Sequence, residues 1–465
     1  MFKKMLDFIR ALLRQTFGED SAPGAVSISS QMENSIGLWA DMYDRGGPWT
    51  GGKDGLHSLG LPAAIAGEFA RLTVTEARFS FSPEGTRAAA MRDWTSALFS
   101  RLRAQVEYGC ALGGLVIKPY NSGDGIVFDV IHGDRFIPLS FDGTGRMTGA
   151  VFLDQIHRGK YIYTRFERHE LGSDGYKIEN RAYASTNDVH IGREIRLTDV
   201  PEWADLAPDA TLQNVGRPLF GHFRVPFANQ VDRTSPMGVS VYSRAVELIR
   251  DADEQYGRFL WEFEGGELAI DAAEDYLQDA ADGHTRMPKG KKRLFRALGA
   301  ADANFYQVFS PQLRDESQRR GLNEILRRIE FNCALAYGTI SNPETVDKTA
   351  EEIRTSRQRS YVAASDVQKA LETALCDAVD AAGVLADLYG LAPGNCRIAC
   401  TWGDSVLEDS EKEFSRRMQL VSSGLLKDEL MLGWYFGEPC ETPAEQQAIR
   451  EKYMPEMEKL LRDTE

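Results

Sequence analysis

Apolar positions fall into three successive patterns along the chain. From Ser29 to about Ala111 they recur at helical spacing. One helix is predicted over Ser29–Tyr43 and a second over Leu59–Thr75. A third covers Thr86–Ala111, with Met91, Trp94, Leu98, Leu102, Val106 and Cys110 on one side. Arg78 to Phe81 reads as a short strand between them. After Gly113-Gly114 the period drops to two. Leu115–Tyr120 and Ile126–Ile131 are predicted strands around Gly123-Asp124-Gly125. Turns at Asp142-Gly143, Arg158-Gly159 and Asp174-Gly175 separate Ala150–Leu153, Tyr161–Thr164 and Tyr176–Ile178, an antiparallel meander continuing to about Leu197. A loop then runs from Pro201 to Gly216, and Phe220–Val225 is one more strand.

From Pro236 the pattern is helical again. Tyr242, Val246, Ile249, Tyr256, Phe259, Leu260 and Phe263 share a face, and the pairs Arg250/Glu254 and Arg258/Glu262 lie four apart on the other. Gly265-Gly266 stops this helix. A compact insert follows, with a short helix over Asp271–Ala280 and a strand over Phe305–Phe309. Leu322, Ile325, Leu326, Ile329, Cys333, Ala336 and Tyr337 then mark a helix from Glu316 to Tyr337, with Gly338 as its C-cap. Asn342 and Pro343 suit the start of another helix, and no Pro or Gly occurs from Glu344 to Ala382. Unbroken, that helix would be roughly 57 Å long. Arg397–Trp402 reads as a strand, Glu408–Val421 as a helix, and Thr442-Pro443-Ala444-Glu445 as a capping box opening the last helix. The class is α+β, mostly α.

Composition narrows the partners more than the fold. The chain has 465 residues, 43% hydrophobic and 26% charged, which suits a folded protein of several domains. No apolar run reaches the length of a membrane span. Phe2, Met5, Leu6, Ile9, Leu12, Leu13 and Phe17 form a helical stripe broken by Asp7, Arg10 and Arg14. This predicts a helix docking on the same or a neighbouring subunit, with a membrane-surface helix as the alternative. The net charge is −15, against a conventional grip on DNA. Cys110, Cys333, Cys376, Cys396, Cys400 and Cys440 include no CxxC pair, so no zinc site is predicted and a reducing compartment fits.

No nucleotide-binding loop, nucleophile elbow, HExxH helix or EF-hand loop occurs. No cofactor is expected, and the absence of a catalytic signature leans towards a structural or conduit role. The densest basic run is Lys289, Lys291, Lys292 and Arg293. A solvated loop, a phosphate contact and a docking patch for an acidic partner all fit it.

The order of elements, taken with four stretches, resembles the portal protein of tailed bacteriophages, in the branch typified by phages of Gram-positive bacteria. The stretches are Ser235–Tyr242, Arg258–Gly266, Ile340–Pro343 through Val346–Ile353, and Thr401–Val406. The resemblance implies a homo-oligomeric ring, usually of twelve subunits, at one capsid vertex. It would pass double-stranded DNA without reading its sequence. Its partners would be terminase, a head–tail connector or adaptor, and the major capsid or scaffolding protein. Assembly would take place in the host cytoplasm and the protein would end in the virion.

Carried over by position, residues 1–235 would be the wing, 236–265 the first stem helix, 266–315 the clip and 316–337 the second stem helix. Residues 338–348 would be the tunnel loop, 349–407 the long wing helix and return strand, and 408–465 the crown. The DNA-facing residues would be Thr339, Ile340, Ser341, Asn342, Pro343, Glu344, Thr345, Val346, Asp347 and Lys348, and the clip run would meet a connector or DNA. A ring of twelve would carry about −180, which suits a conduit that must not hold its cargo. Two other readings stand beside it: a helical scaffold or adaptor, and an enzyme with a site near His132 and Asp134.

Overall fold

The computed structural model describes residues 28–51, 56–173, 175–187, 191–267, 269–273, 295–298, 306–342, 350–403, 410–438, 440 and 442–454. The amphipathic N-terminal stripe and the basic run at 289–293 lie outside them. The fold is α+β, mostly α, and among the described residues the strands pair antiparallel apart from one parallel pair. The chain divides into two compact units, Met1–Gly403 and Asp404–Glu465.

The larger unit opens with α1 (Ser30–Arg45), α2 (Leu61–Val74), β1 (Arg78–Ser82) and α3 (Thr86–Leu112). Then come β2 (Gly114–Asn121) and β3 (Ile126–His132). The meander follows as β4 (Phe136–Phe141), β5 (Met147–Arg158), β6 (Tyr161–Gly172), β7 (Gly175–Ser185) and β8 (Arg193–Ile195). The segment predicted as loop contains a short 3-10 turn at Pro201–Trp203, just after another at Leu197–Asp199, and β9 (Asp209–Leu212), which pairs with β7. β10 (Gly221–Arg224) joins β2 and β3 in a separate three-stranded sheet.

After it run α4 (Val246–Gly265), β11 (Ala269–Ala273), β12 (Phe295–Leu298), β13 (Tyr306–Phe309), α5 (Asp315–Asn332) and α6 (Ala350–Leu388). β14 (Arg397–Thr401) returns to pair antiparallel with β1. α6 has 39 residues, about 58 Å at 1.5 Å each.

One face of α6 is rich in alanine, with Ala374, Ala378, Ala381 and Ala382 fully buried beside Val367, Leu371 and Leu375. Small side chains let the sheet backbone come close. A Cβ on Gly221 of β10 would sit 1.9 Å from the Ala374 carbonyl oxygen, so only glycine fits there. At the far end of α6, Arg87 is 3% exposed and ties α3 to it. Its guanidinium donates to the Gly383 carbonyl at 3.0 Å, the Ala392 carbonyl at 2.5 Å and Asp387 at 2.7 Å.

Two predicted helices are corrected. The helix expected from Pro236 begins at Val246, after a 3-10 turn at Ser243–Ala245. Residues 237–241 are instead laid against the end of α3, where the Val241 N–H donates to the Cys110 carbonyl at 3.0 Å. Gly113, at φ 87°, and Gly238 meet there; a Cβ on Gly238 would lie 2.1 Å from the Gly113 oxygen. The helix expected over Asp271–Ala280 is also absent at its start, because Asp271–Ala273 belongs to β11. That strand pairs with β12 in parallel and β13 antiparallel, and pairing on both sides overrides the helical preference of its alanines.

His222 on β10 lies edge-on to Phe136, with ring centres 5.7 Å apart and its Nε2 buried without a partner. Burial, then the nearby Arg224, lowers its pKa from 6.5 to about 3. The unfolded chain therefore takes up this proton first. Stability is expected to fall as pH drops from 6.5 towards 3, and His222→Leu should make that decline shallower in urea titrations run at each pH.

The smaller unit holds α7 (Ser410–Ser422), α8 (Asp428–Phe436) and α9 (Pro443–Tyr453). α8 went unpredicted. The capping box is present as expected, with Thr442 Oγ accepting from the Glu445 N–H at 3.3 Å and Glu445 accepting from the Thr442 N–H at 2.9 Å.

Candidate functional site

α4 and α5 run antiparallel. Arg314, just before α5, places two guanidinium nitrogens on Glu262 near the end of α4 at 3.1 and 2.7 Å, and its backbone N–H adds a third bond at 3.1 Å. The side-chain bond, then the backbone one, holds the Glu262 carboxyl below its ordinary range. So Glu262 pairs across helices, not with Arg258 as its spacing suggested. Asp253 of α4 is fully buried and accepts from Trp49 Nε1 at 2.9 Å and the Leu59 N–H at 2.8 Å. Burial raises its pKa first, and those two bonds oppose the rise.

α5 ends at Asn332, five residues short of the predicted Tyr337, and Cys333 is its C-cap. The apolar spacing continues past the helix because Cys333, Leu335 and Ala336 stay buried in a turn. Ala334 adopts φ 56°, and Gly338, the predicted C-cap, adopts φ 88° within the turn. The cause of the early stop is Glu330, which is 0% exposed. Its Oε1 accepts from the N–H groups of Ile340 at 2.7 Å, Ser341 at 2.9 Å and Gly338 at 3.1 Å. Its Oε2 accepts from the Ser341 hydroxyl at 2.8 Å. One buried carboxylate thus takes up the turn's outward-pointing donors, as an anion does in a backbone nest.

Thr339, Ile340, Ser341 and Asn342 are consequently held in place. Thr339 Oγ1 donates to the Ala336 carbonyl at 2.6 Å. Ile340 packs against the main core, and Ser341 is 6% exposed. The Asn342 N–H donates to Asn323 Oδ1 on α5 at 2.7 Å. Ser360 Oγ on α6 accepts from the Ala336 N–H at 2.7 Å, tying the turn to the long helix. Pro343, Glu344, Thr345, Val346, Asp347 and Lys348 lie outside the described residues, as do Lys289, Lys291, Lys292 and Arg293. Sequence reasoning missed Glu330. The available signal was a carboxylate four residues after Leu326 on an otherwise apolar face.

The region offered for an enzyme site is engaged in other ways. His132 Nε2 lies 2.8 Å from Gln105 Oε1 and its ring lies against Tyr108, 4.6 Å between centres. A cavity of about 420 Å³ near the 142–147 turn is lined by Arg146, Asp377, Thr144, Thr373 and Phe220. Arg146 and Asp377 already pair across it at 2.6 Å. Neither place sets a nucleophile beside a base. Among the described residues, no cluster of His, Cys, Asp and Glu could hold a metal, and no helix is long and apolar enough to cross a membrane.

No protein-family model and no curated protein matches the chain. Among solved structures, a chain from the neck of a native GTA particle, computed with C12 symmetry, covers 87% of this chain and 98% of its own length. The identity is 12% and the TM-score 0.40. A likeness that loose assigns no function.

Proposed function

We propose that the chain is a portal protein: one subunit of a ring that passes double-stranded DNA through a capsid vertex. A separate terminase supplies the energy, and a connector docks at the clip. The observation that carries this reading is the anchored turn between an antiparallel helix pair and a 39-residue helix. A loop repeated around a hole needs a fixed base, and Glu330, Ser360 and Asn323 provide one. On this reading residues 343–348 are the part of the loop that meets DNA, and the run at 289–293 belongs to the clip. The exposed apolar groups Trp261 and Phe263 on α4, 66% and 40% exposed, fit burial against neighbouring subunits.

Purified protein imaged in negative stain should show rings with a central hole. A strictly monomeric particle at high concentration would sink the proposal. Deleting residues 344–347, beyond the anchored part, should leave rings intact and impair DNA packaging or retention. Normal packaging by that variant would remove the loop assignment while leaving the ring.

A further inference from the structure

Several arginines of the larger unit end on carboxylates, as Arg71 does on Glu68, Arg168 on Glu179 and Arg328 on Glu324. Arg359, near the start of α6, meets a ring instead. Its guanidinium lies 4.0 Å from the centre of Phe331 at the end of α5. Among the described residues no ion pair engages it. A second stack adjoins the first: Arg327 lies over Tyr337 at 5.4 Å. Arg327 and Phe331 are four apart in α5, so they share a face. Phe331 and Tyr337 are each 49% exposed. Ser360, the residue after Arg359, carries the hydrogen bond to Ala336, so the patch stands against the anchored turn.

The chemistry of a stacked guanidinium points to an anion. An aromatic face orients the group but does not neutralise it, and the N–H edge of Arg359 stays free to donate. A carboxylate partner would have consumed that edge. In a chain of net charge −15, the ring-backed guanidinium of Arg359 is a fixed positive point. Planar N–H pairs match phosphate oxygens and carry no base preference.

We propose that Arg359, set by Phe331, contacts the phosphate backbone of double-stranded DNA at the base of the loop. This rests on the conduit reading. It differs from the expectation for Lys348, because Arg359 is fixed by a packed ring on a rigid helix. A few such contacts suit a conduit, since each adds little affinity and none depends on sequence.

The test uses assembled full-length protein and a fluorescent blunt-ended duplex of mixed sequence, titrated over a range of salt. Arg359→Gln should reduce the slope of log Kd against log salt by about 0.9 for each phosphate that Arg359 neutralises. Arg359→Lys should retain most of the slope. Phe331→Leu should weaken binding at an unchanged slope, because the charge remains and only its positioning is removed. An unchanged slope in Arg359→Gln overturns the proposal. So does disassembly of the Arg359→Gln particle, since the patch would then belong to an interface between copies. If the wild-type protein forms no ring, the conduit reading fails separately, while the slope still reports on Arg359.

Discussion

Replacing Glu167 with glutamine is expected to cost the larger unit about 3–5 kcal/mol, because it strands a buried lysine. Lys118 projects from β2 and Glu167 from β6, so their ion pair crosses between two different sheets. The side chains are 6% and 14% exposed. Arg165 Nη1 reaches the same carboxylate oxygen at 3.1 Å. His169 Nε2 lies 2.8 Å from the other oxygen, and its Nδ1 lies 2.8 Å from the Tyr176 hydroxyl. The partners fix the tautomer. Glu167 can only accept, so Nε2 carries the hydrogen and Nδ1 accepts from Tyr176.

Burial alone would raise the Glu167 pKa. Lys118, then His169 and Arg165, hold it well below 4.5 instead. A depressed carboxylate contributes stability above its unfolded pKa and loses it as pH falls through the folded value. The gap between wild type and Glu167→Gln should therefore be widest near neutral pH and narrow below about pH 4.5. Urea unfolding followed by tryptophan fluorescence measures it. The double variant Lys118→Met/Glu167→Leu should recover part of the loss, because the lysine that needs the counter-charge is gone and Arg165 keeps Asp154 at 3.4 Å and Asn180 at 2.9 Å. A double variant as unstable as Glu167→Gln would mean the pair is not the source of the cost.

That network also explains what the sequence hid. The glycine-marked breaks at 142–143 and 158–159 lay at the hairpins between β4 and β5 and between β5 and β6, although the first connection is a five-residue loop, Phe141 pairing with Met147, and the second turns at Gly159-Lys160. The strands were read too short. Ala150–Leu153 is the middle of β5, which runs from Met147 to Arg158, and Tyr161–Thr164 is only the start of β6. The missing parts contain Asp154, Arg165, Glu167 and His169. Alternation of apolar and polar residues cannot see a buried face built from charges that satisfy one another across sheets. The long helix α6 was legible because no Pro or Gly interrupts it before Gly383 and its apolar stripe is continuous. The end of α5 was not, because buried residues in a turn keep helical spacing by coincidence and the deciding group, Glu330, is charged. The four residues at the start of the predicted loop were legible as a break. That Thr339, Ile340, Ser341 and Asn342 are bound down was not.

Replacing Glu330 with alanine should release that turn. The change removes both acceptor oxygens and leaves the Ile340 and Ser341 N–H groups without partners in a largely buried setting. Each stranded donor costs about 1–3 kcal/mol. Because one carboxylate serves all of them, the total is expected near 3–4 kcal/mol rather than the sum. Hydrogen exchange reads the effect locally. A loss of about 3 kcal/mol corresponds to roughly a hundredfold faster exchange at those two amides, while amides in the meander should be unchanged. Glu330→Gln should give a smaller effect, since one oxygen still accepts while the new NH₂ faces N–H donors. Asn342→Ala, at an exposed position, should leave the exchange of Ile340 and Ser341 near wild type. If the turn is the base of a loop around a DNA channel, Glu330→Ala rings should still assemble but retain DNA poorly. Exchange that speeds up equally across the larger unit would show that Glu330 supports the core rather than the loop.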